Sequence, residues 1–207
     1  MKMKKQIWMT IGLATLLATA TQASQEQLAK SIKEAQAEAT RTDAQLKGTL
    51  SALNGLTQQS KGDLRPAYDT YCAEVAKTEA AAGWTRTRVQ WMAGDGRKYF
   101  QDWQNTVNSI SNQSLKKKAQ KRLDAVKASY EKVEASLQQA SEKFKPFLSD
   151  LSDIQKTLAT DVTAGGVKAV KSTVKSANWN LQYVDKANKA ALKEMDKMQK
   201  ALSSEAK

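Results

Sequence analysis

Apolar residues recur at spacings of three and four along nearly the whole chain, and that period commits the backbone to α-helix. The clearest run is Val167, Val170, Val174, Ala177, Leu181, Val184, Ala191, Met195, Met198 and Leu202, a heptad seam sustained over five repeats. It predicts a helix over about 167–203, fraying from Ser203. Leu28, Ile32, Ala35, Ala39, Leu46, Leu50, Leu53 and Leu56 mark a first helix over about 24–59. Tyr68, Tyr71, Val75, Val89, Met92, Phe100, Trp103 and Val107 mark a second over 64–111. A third, over 114–163, carries Leu115, Leu123, Val126, Tyr130, Val133, Phe147, Leu151, Ile154 and Leu158. No strand-like alternation competes with these patterns. Nine Gly and two Pro in 207 residues leave few breakers. Ser60 to Asp63 form the first turn, with Asp63 as N-cap and Pro66 in the first helical turn, where its missing N–H is harmless. Asn112 and Gln113 form the second, with Ser114 as N-cap, and Thr163 to Gly166 form the last. Gly94 and Gly96 weaken the second helix and predict a bend there. Pro146 predicts a kink or break in the third.

Helices of 35 to 50 residues span roughly 50–75 Å at about 1.5 Å per residue. Short turns make consecutive helices antiparallel. The expected fold is all-α: an elongated antiparallel four-helix bundle, or coiled-coil hairpins, forming a single domain over 24–207. The seam of the fourth helix packs either inside the chain or against a second copy.

The N-terminus reads as an export signal. Lys2, Lys4 and Lys5 form a basic region, Ile7 to Leu17 is apolar, and small residues follow. Cleavage fits after Ala20 or after Ala23, and residues 1–23 are assigned as a cleavable signal peptide, with an uncleaved anchor as the alternative. No Cys follows the apolar stretch, so the protein is expected in the periplasm or secreted, and not as a lipoprotein. The chain carries 33 Lys+Arg against 21 Asp+Glu. Export turns that excess away from nucleic acid and toward lipid, lipopolysaccharide or cell-wall polymer. Cys72, the only cysteine, rules out an intramolecular disulfide and reads as a small core hydrophobe.

Several ordered steps then carry a resemblance. They are Arg86-Thr87-Arg88-Val89, Tyr99-Phe100-Gln101-Asp102-Trp103, Asn112-Gln113-Ser114-Leu115-Lys116, Tyr130, Lys145-Pro146-Phe147-Leu148, and the spacing from Leu158 to Val167. From Gly62 to Ser204 the chain resembles the bacterial domain-of-unknown-function family 2959. The chain departs from it at Ala159-Thr160-Asp161, where the family often has Lys-His-Asn. The resemblance implies an exported helical protein and supplies no activity.

There is no histidine, which removes the usual general base, metal ligand and triad partner. One Cys and scattered carboxylates are a poor zinc set. Gly94-Asp95-Gly96 is too short for a phosphate loop. Asp95 with Asp102, and Asp150 with Asp153, fall at helical spacings but read as solvated faces. No catalytic residue, metal or cofactor is assigned, and the chain is read as a non-enzyme.

Two binding candidates remain. If Val89 and Trp103 mark the core seam, Trp84 and Trp91 lie on the outer face with Arg88 within stacking reach of either ring. The alternative is that another helix covers them. In the resembled family these positions tend to be small or acidic, which implies exposure. The second candidate is charge. Residues 24–112 carry 11 basic and 10 acidic residues, whereas residues 113–207 carry 19 and 11. Lys116, Lys117, Lys118, Lys121 and Arg122 cluster at the start of the third helix, and Lys168, Lys171 and Lys175 at the start of the fourth. These are either solvated faces or a polyanion site. The expected partner is another protein, a second copy, or an anionic envelope lipid or polymer.

Overall fold

Four helices account for almost every described residue: α1 (Met3–Gln58), α2 (Arg65–Asn108), α3 (Gln113–Thr160) and α4 (Ala164–Ser204). The computed structural model describes residues 3–59 and 62–204, with side chains for 19–59 and 62–203. Hydrogen bonds set the helix directions. Thr42 pairs with Thr85 and Thr49 with Thr78, so numbers rise on α1 as they fall on α2. Tyr68 reaches Gln155 and Tyr71 reaches Leu151, so α2 and α3 are also antiparallel. Asn54 with Asn178 and Lys47 with Asp185 place α4 antiparallel to α1. The fold is an all-α, four-helix antiparallel bundle.

The boundaries expected from periodicity hold to within three residues, except at the start of α1. That helix is continuous from Met3 through Ala20 and Ala23. Of the expected export signal, Met1, Lys2 and the side chains up to Ala18 lie outside the described residues. So do Ser60 and Lys61 of the first turn, and the chain end beyond Ser204.

Local chemistry explains the remaining ends and corrects several expectations. Asp63 Oδ1 accepts the Arg65 N–H at 2.9 Å, and Pro66 falls in the first turn as expected. The cap of α3 is Asn112, not Ser114: its Oδ1 accepts the Leu115 N–H at 3.1 Å. Gly165 and Gly166, expected in the last turn, lie instead in the first turn of α4, capped by Thr163, whose hydroxyl accepts the Gly165 N–H at 3.1 Å. Glycine is required at 166, because a Cβ there would stand 1.9 Å from the Asp161 carbonyl oxygen. Pro146 lies inside α3 without breaking it. Gly94 and Gly96 do not interrupt α2.

All ten seam residues of α4 are buried within the chain, which settles the seam against a second copy as its cover. Asn188 occupies one seam position and donates to the Ala39 carbonyl at 3.3 Å. On α2 the core positions are Tyr68, Tyr71, Val75, Met92, Tyr99 and Val107. Val89 and Trp103, expected to mark the seam, are only half-buried. Leu115, expected in the core of α3, is exposed.

The chain forms two compact units, each taking a segment from every helix. Unit 1 comprises Met1–Ala35, Arg88–Glu134 and Glu194–Lys207; unit 2 comprises Gln36–Thr87 and Ala135–Lys193. Unit 2 holds a mostly aliphatic core that includes Leu46, Leu53, Leu151, Ile154, Leu158, Val170, Ala177 and Leu181, with Phe147, Tyr68 and Tyr71 among them. Half-buried Cys72 packs against that core. Unit 1 buries Leu28, Ile32, Met92, Leu123, Val133 and Met195 and adds a cluster of rings: Tyr99 lies 5.1 Å from Phe100 and 5.5 Å from Trp103, and Phe100 lies 5.4 Å from Tyr130. Tyr130 lies over Gly96, where a Cβ would meet its Cζ and Oη at 2.5 Å. The ring can seat there only because position 96 has no side chain.

Candidate interaction surfaces

Three buried tyrosine hydroxyls, those of Tyr68, Tyr71 and Tyr130, each meet a backbone carbonyl of a neighbouring helix. In unit 2, Tyr71 donates to Leu151 O at 2.7 Å and Tyr68 to Gln155 O at 3.0 Å. In unit 1, Tyr130 donates to Met92 O at 3.0 Å. Burial raises all three phenols, Tyr68 to about 12 with a hydrogen bond to Cys72 adding to it. These groups hold their protons and act as ties between helices.

The acidic pairs are tied in the same way, and this corrects the solvated-face expectation for two of them. Asp95 accepts from Ser31, and from Gln27 at 3.2 Å. Asp150 accepts from Ser176 at 2.8 Å and Asn180 at 2.6 Å. Asp102 takes Lys98 at 2.8 Å, and exposed Asp153 lies 3.7 Å from Lys156. Among the described residues no group of three or more His, Cys, Asp or Glu side chains is placed to hold a metal ion.

In unit 2 an ionic chain joins α1 to α4. Lys47 contacts Asp43 at 2.5 Å and Asp185 at 3.4 Å, and Asp185 accepts from Lys189 at 2.6 Å. The Lys189 hydrogen bond, with the charges of Lys189 and Lys47, lowers the Asp185 pKa, and the Asp43 hydrogen bond raises that of Lys47. Glu74 is lowered by hydrogen bonds from Lys77 and Gln45.

The two aromatic candidates of α2 are exposed, Trp84 by 60 % and Trp91 by 53 %. Arg88 lies 4.7 Å from the centre of the Trp91 ring and pairs with Glu34 at 2.9 Å. Its charge is already answered within the chain. The α3 cluster is divided. Lys116 is half-buried and donates to the Asn108 carbonyl at 3.1 Å, closing the C-terminal end of α2. That contact uses one of its three N–H donors. Arg122 is exposed and has an interaction of its own. Lys117, Lys118 and Lys121 project into solvent beside Leu115, itself 56 % exposed. Trp91 and this cluster are separate surfaces. Lys116 sits on Asn108, 17 residues after Trp91 on α2, or roughly 25 Å along the axis.

A third surface escaped the sequence reading. Trp179 and Tyr183, one turn apart on α4, are each 53 % exposed. The signal was present: both fall between the seam positions Ala177, Leu181 and Val184. Lys168, Lys171, Lys175, Lys186, Lys189 and Lys193 are also exposed along this part of α4, whose only acid is Asp185.

No helix among the described residues is long and apolar enough to cross a membrane. No curated protein matches the chain. A family model described as a protein of unknown function matches residues 18–202. That match spans all four helices and both units, and the chain therefore belongs to the DUF2959 family.

Proposed function

We propose that this protein is an exported, non-enzymatic helical protein of the cell envelope that works through its surfaces, as a structural or interaction protein. The observation that carries this reading is how its carboxylates are used. Asp95 and Asp150, one from each acidic pair, each accept two hydrogen bonds from a neighbouring helix. A carboxylate so occupied serves as a tie, and the chain has no histidine to take its place as an acid–base group. The export half rests on Lys2, Lys4 and Lys5 ahead of the apolar stretch Ile7 to Leu17.

Cell fractionation with N-terminal sequencing tests the destination. The expected product is periplasmic or secreted and begins at Thr21 or Ser24. A full-length cytosolic product overturns export. Complementation of a deletion strain tests the chemistry. Asp→Asn changes at 95, 102, 150 and 153 keep hydrogen-bonding oxygens and are expected to complement. A folded variant that fails to complement overturns the non-enzymatic reading.

Charge favours a second reading, a binder of anionic envelope surfaces such as lipid, lipopolysaccharide or cell-wall polymer. Its support is the 19 basic against 11 acidic residues of 113–207, with Lys117, Lys118, Lys121 and the α4 lysines exposed.

A further inference from the structure

We infer that the outward face of α4 in unit 2 docks on an anionic lipid bilayer, with Trp179 and Tyr183 as interfacial anchors and Lys175 and Lys186 as headgroup contacts. This rests on the anionic-surface reading and names its partner and its site.

Position comes first. Trp179 and Tyr183 each sit two residues beyond a buried seam residue, Ala177 and Leu181. At 100° per residue that turns both rings about 200° from the core. The two side chains lie an i, i+4 step apart and so stand side by side on one face. Lys175 is four residues before Trp179, and Lys186 three after Tyr183, so the rings are framed by cations on the same face.

Charge comes second. Residues 164–193 hold six lysines and one acid. That acid, Asp185, is half-buried and lies against Lys47 of α1 as well as Lys189. The exposed ionic side chains that α4 itself sets around the rings are thus lysines, and Asp150 of α3, half-buried beside them, is bonded to Ser176 and Asn180.

Shape comes third. From Lys168 to Lys193 the row runs about 38 Å along one helix at 1.5 Å per residue. A straight ridge of lysines with a central aromatic pair suits a flat surface. Trp and Tyr place an apolar ring at the acyl boundary while the polar edge stays wet. Lysine stems lie along the apolar region and lift their ammonium groups to the phosphates. A saccharide site would instead need free planar hydrogen-bonding groups beside the rings; Asn180 is already bonded to Asp150 and Asn178 to Asn54, which leaves Gln182.

The test uses the protein as the cell processes it, with vesicles of phosphatidylcholine alone or with one-quarter phosphatidylglycerol, at about 0.15 M salt. Cosedimentation is expected with the anionic vesicles only. Lys175→Glu with Lys186→Glu, and separately Trp179→Ala with Tyr183→Ala, should each lower the partition coefficient by about tenfold. All four side chains are exposed, so circular dichroism should be unchanged. Brominated acyl chains should quench tryptophan fluorescence in the parent and much less in Trp179→Phe. Vesicle binding that survives both double variants but is lost on Lys117→Glu, Lys118→Glu and Lys121→Glu overturns the α4 assignment and keeps the surface reading. Binding to purified cell-wall polymer without vesicle binding overturns the lipid partner and keeps that reading. Binding to neither overturns both.

Discussion

Unit 2 and unit 1 use segments of the same four helices and reach burial by different means. Unit 2 stacks aliphatic layers, Leu46, Leu53, Leu151, Ile154, Leu158 and Leu181 among them, with Tyr68 and Tyr71 tying α2 to α3 at carbonyls. Unit 1 carries a cluster of four aromatic rings, one of which, Tyr130, is seated over Gly96 with its hydroxyl on Met92 O. Aliphatic layers tolerate exchanges of similar volume, because flexible side chains refill the space. A ring seated against bare backbone does not, because the neighbour is fixed. The two cores should therefore respond oppositely to small changes in volume.

Deleting volume from unit 2 should have the largest effect. Leu151→Ala is expected to cost about 3–5 kcal/mol in chemical denaturation, while Leu151→Met costs less than about 1.5 kcal/mol. Equal costs for the two would break the contrast from the aliphatic side.

Adding volume to unit 1 comes next. Gly96→Ala gains about 1 kcal/mol of helix propensity but drives a methyl into the Tyr130 ring. A net loss of about 1–2 kcal/mol is expected. A stabilised Gly96→Ala variant would end the account of unit 1.

The hydroxyl ties are shared by both units and should give a smaller, matched effect. Tyr71→Phe and Tyr130→Phe should each cost about 1 kcal/mol, since each leaves a carbonyl that is already bonded within its helix. Their pH dependence has a definite sign. The folded phenols hold their protons above the ordinary value of 10, Tyr68 to about 12. The unfolded chain therefore ionises first. Stability is complete below pH 10 and is lost as pH rises from 10 through about 12. Lys47, raised above 10.5, acts in the same direction. Thermal melts from pH 8 to 12 should show this decline, and each Tyr→Phe change should flatten it.

The smallest effect sharpens the comparison. Nothing stands within 4 Å of a Cβ at Gly83 of unit 2. Gly83→Ala should stabilise by about 0.5–1 kcal/mol, opposite in sign to Gly96→Ala on the same helix.

These differences also mark where the residues spoke for themselves. The seam of α4 was legible to the last residue, because aliphatic side chains at helical spacing have one way to leave water. The same held for α1, where the gaps between leucines are filled by buried Thr42 and Thr49, bonded to α2. On α2 the reading of Val89 and Trp103 as seam failed. Aromatic and small residues there offer several faces of similar apolarity, and the choice among them is made by α3. Trp179 and Tyr183 are legible from the α4 seam as residues that lie off it, but spacing alone does not say whether another helix covers them.

The sequence by itself determined the helices, their number, their antiparallel order and the aliphatic core, since all of these follow from period and turn length. It also determined the absence of histidine chemistry. Only the tertiary structure decided that Gly96 is a seat for Tyr130, that Lys116 closes a helix, and that Asp95 and Asp150 are ties. It alone decided as well that Arg88 is already paired with Glu34. Each of these depends on what a second helix brings within about 3 Å to 5 Å, and spacing along one helix carries no information about the chemistry of its neighbour.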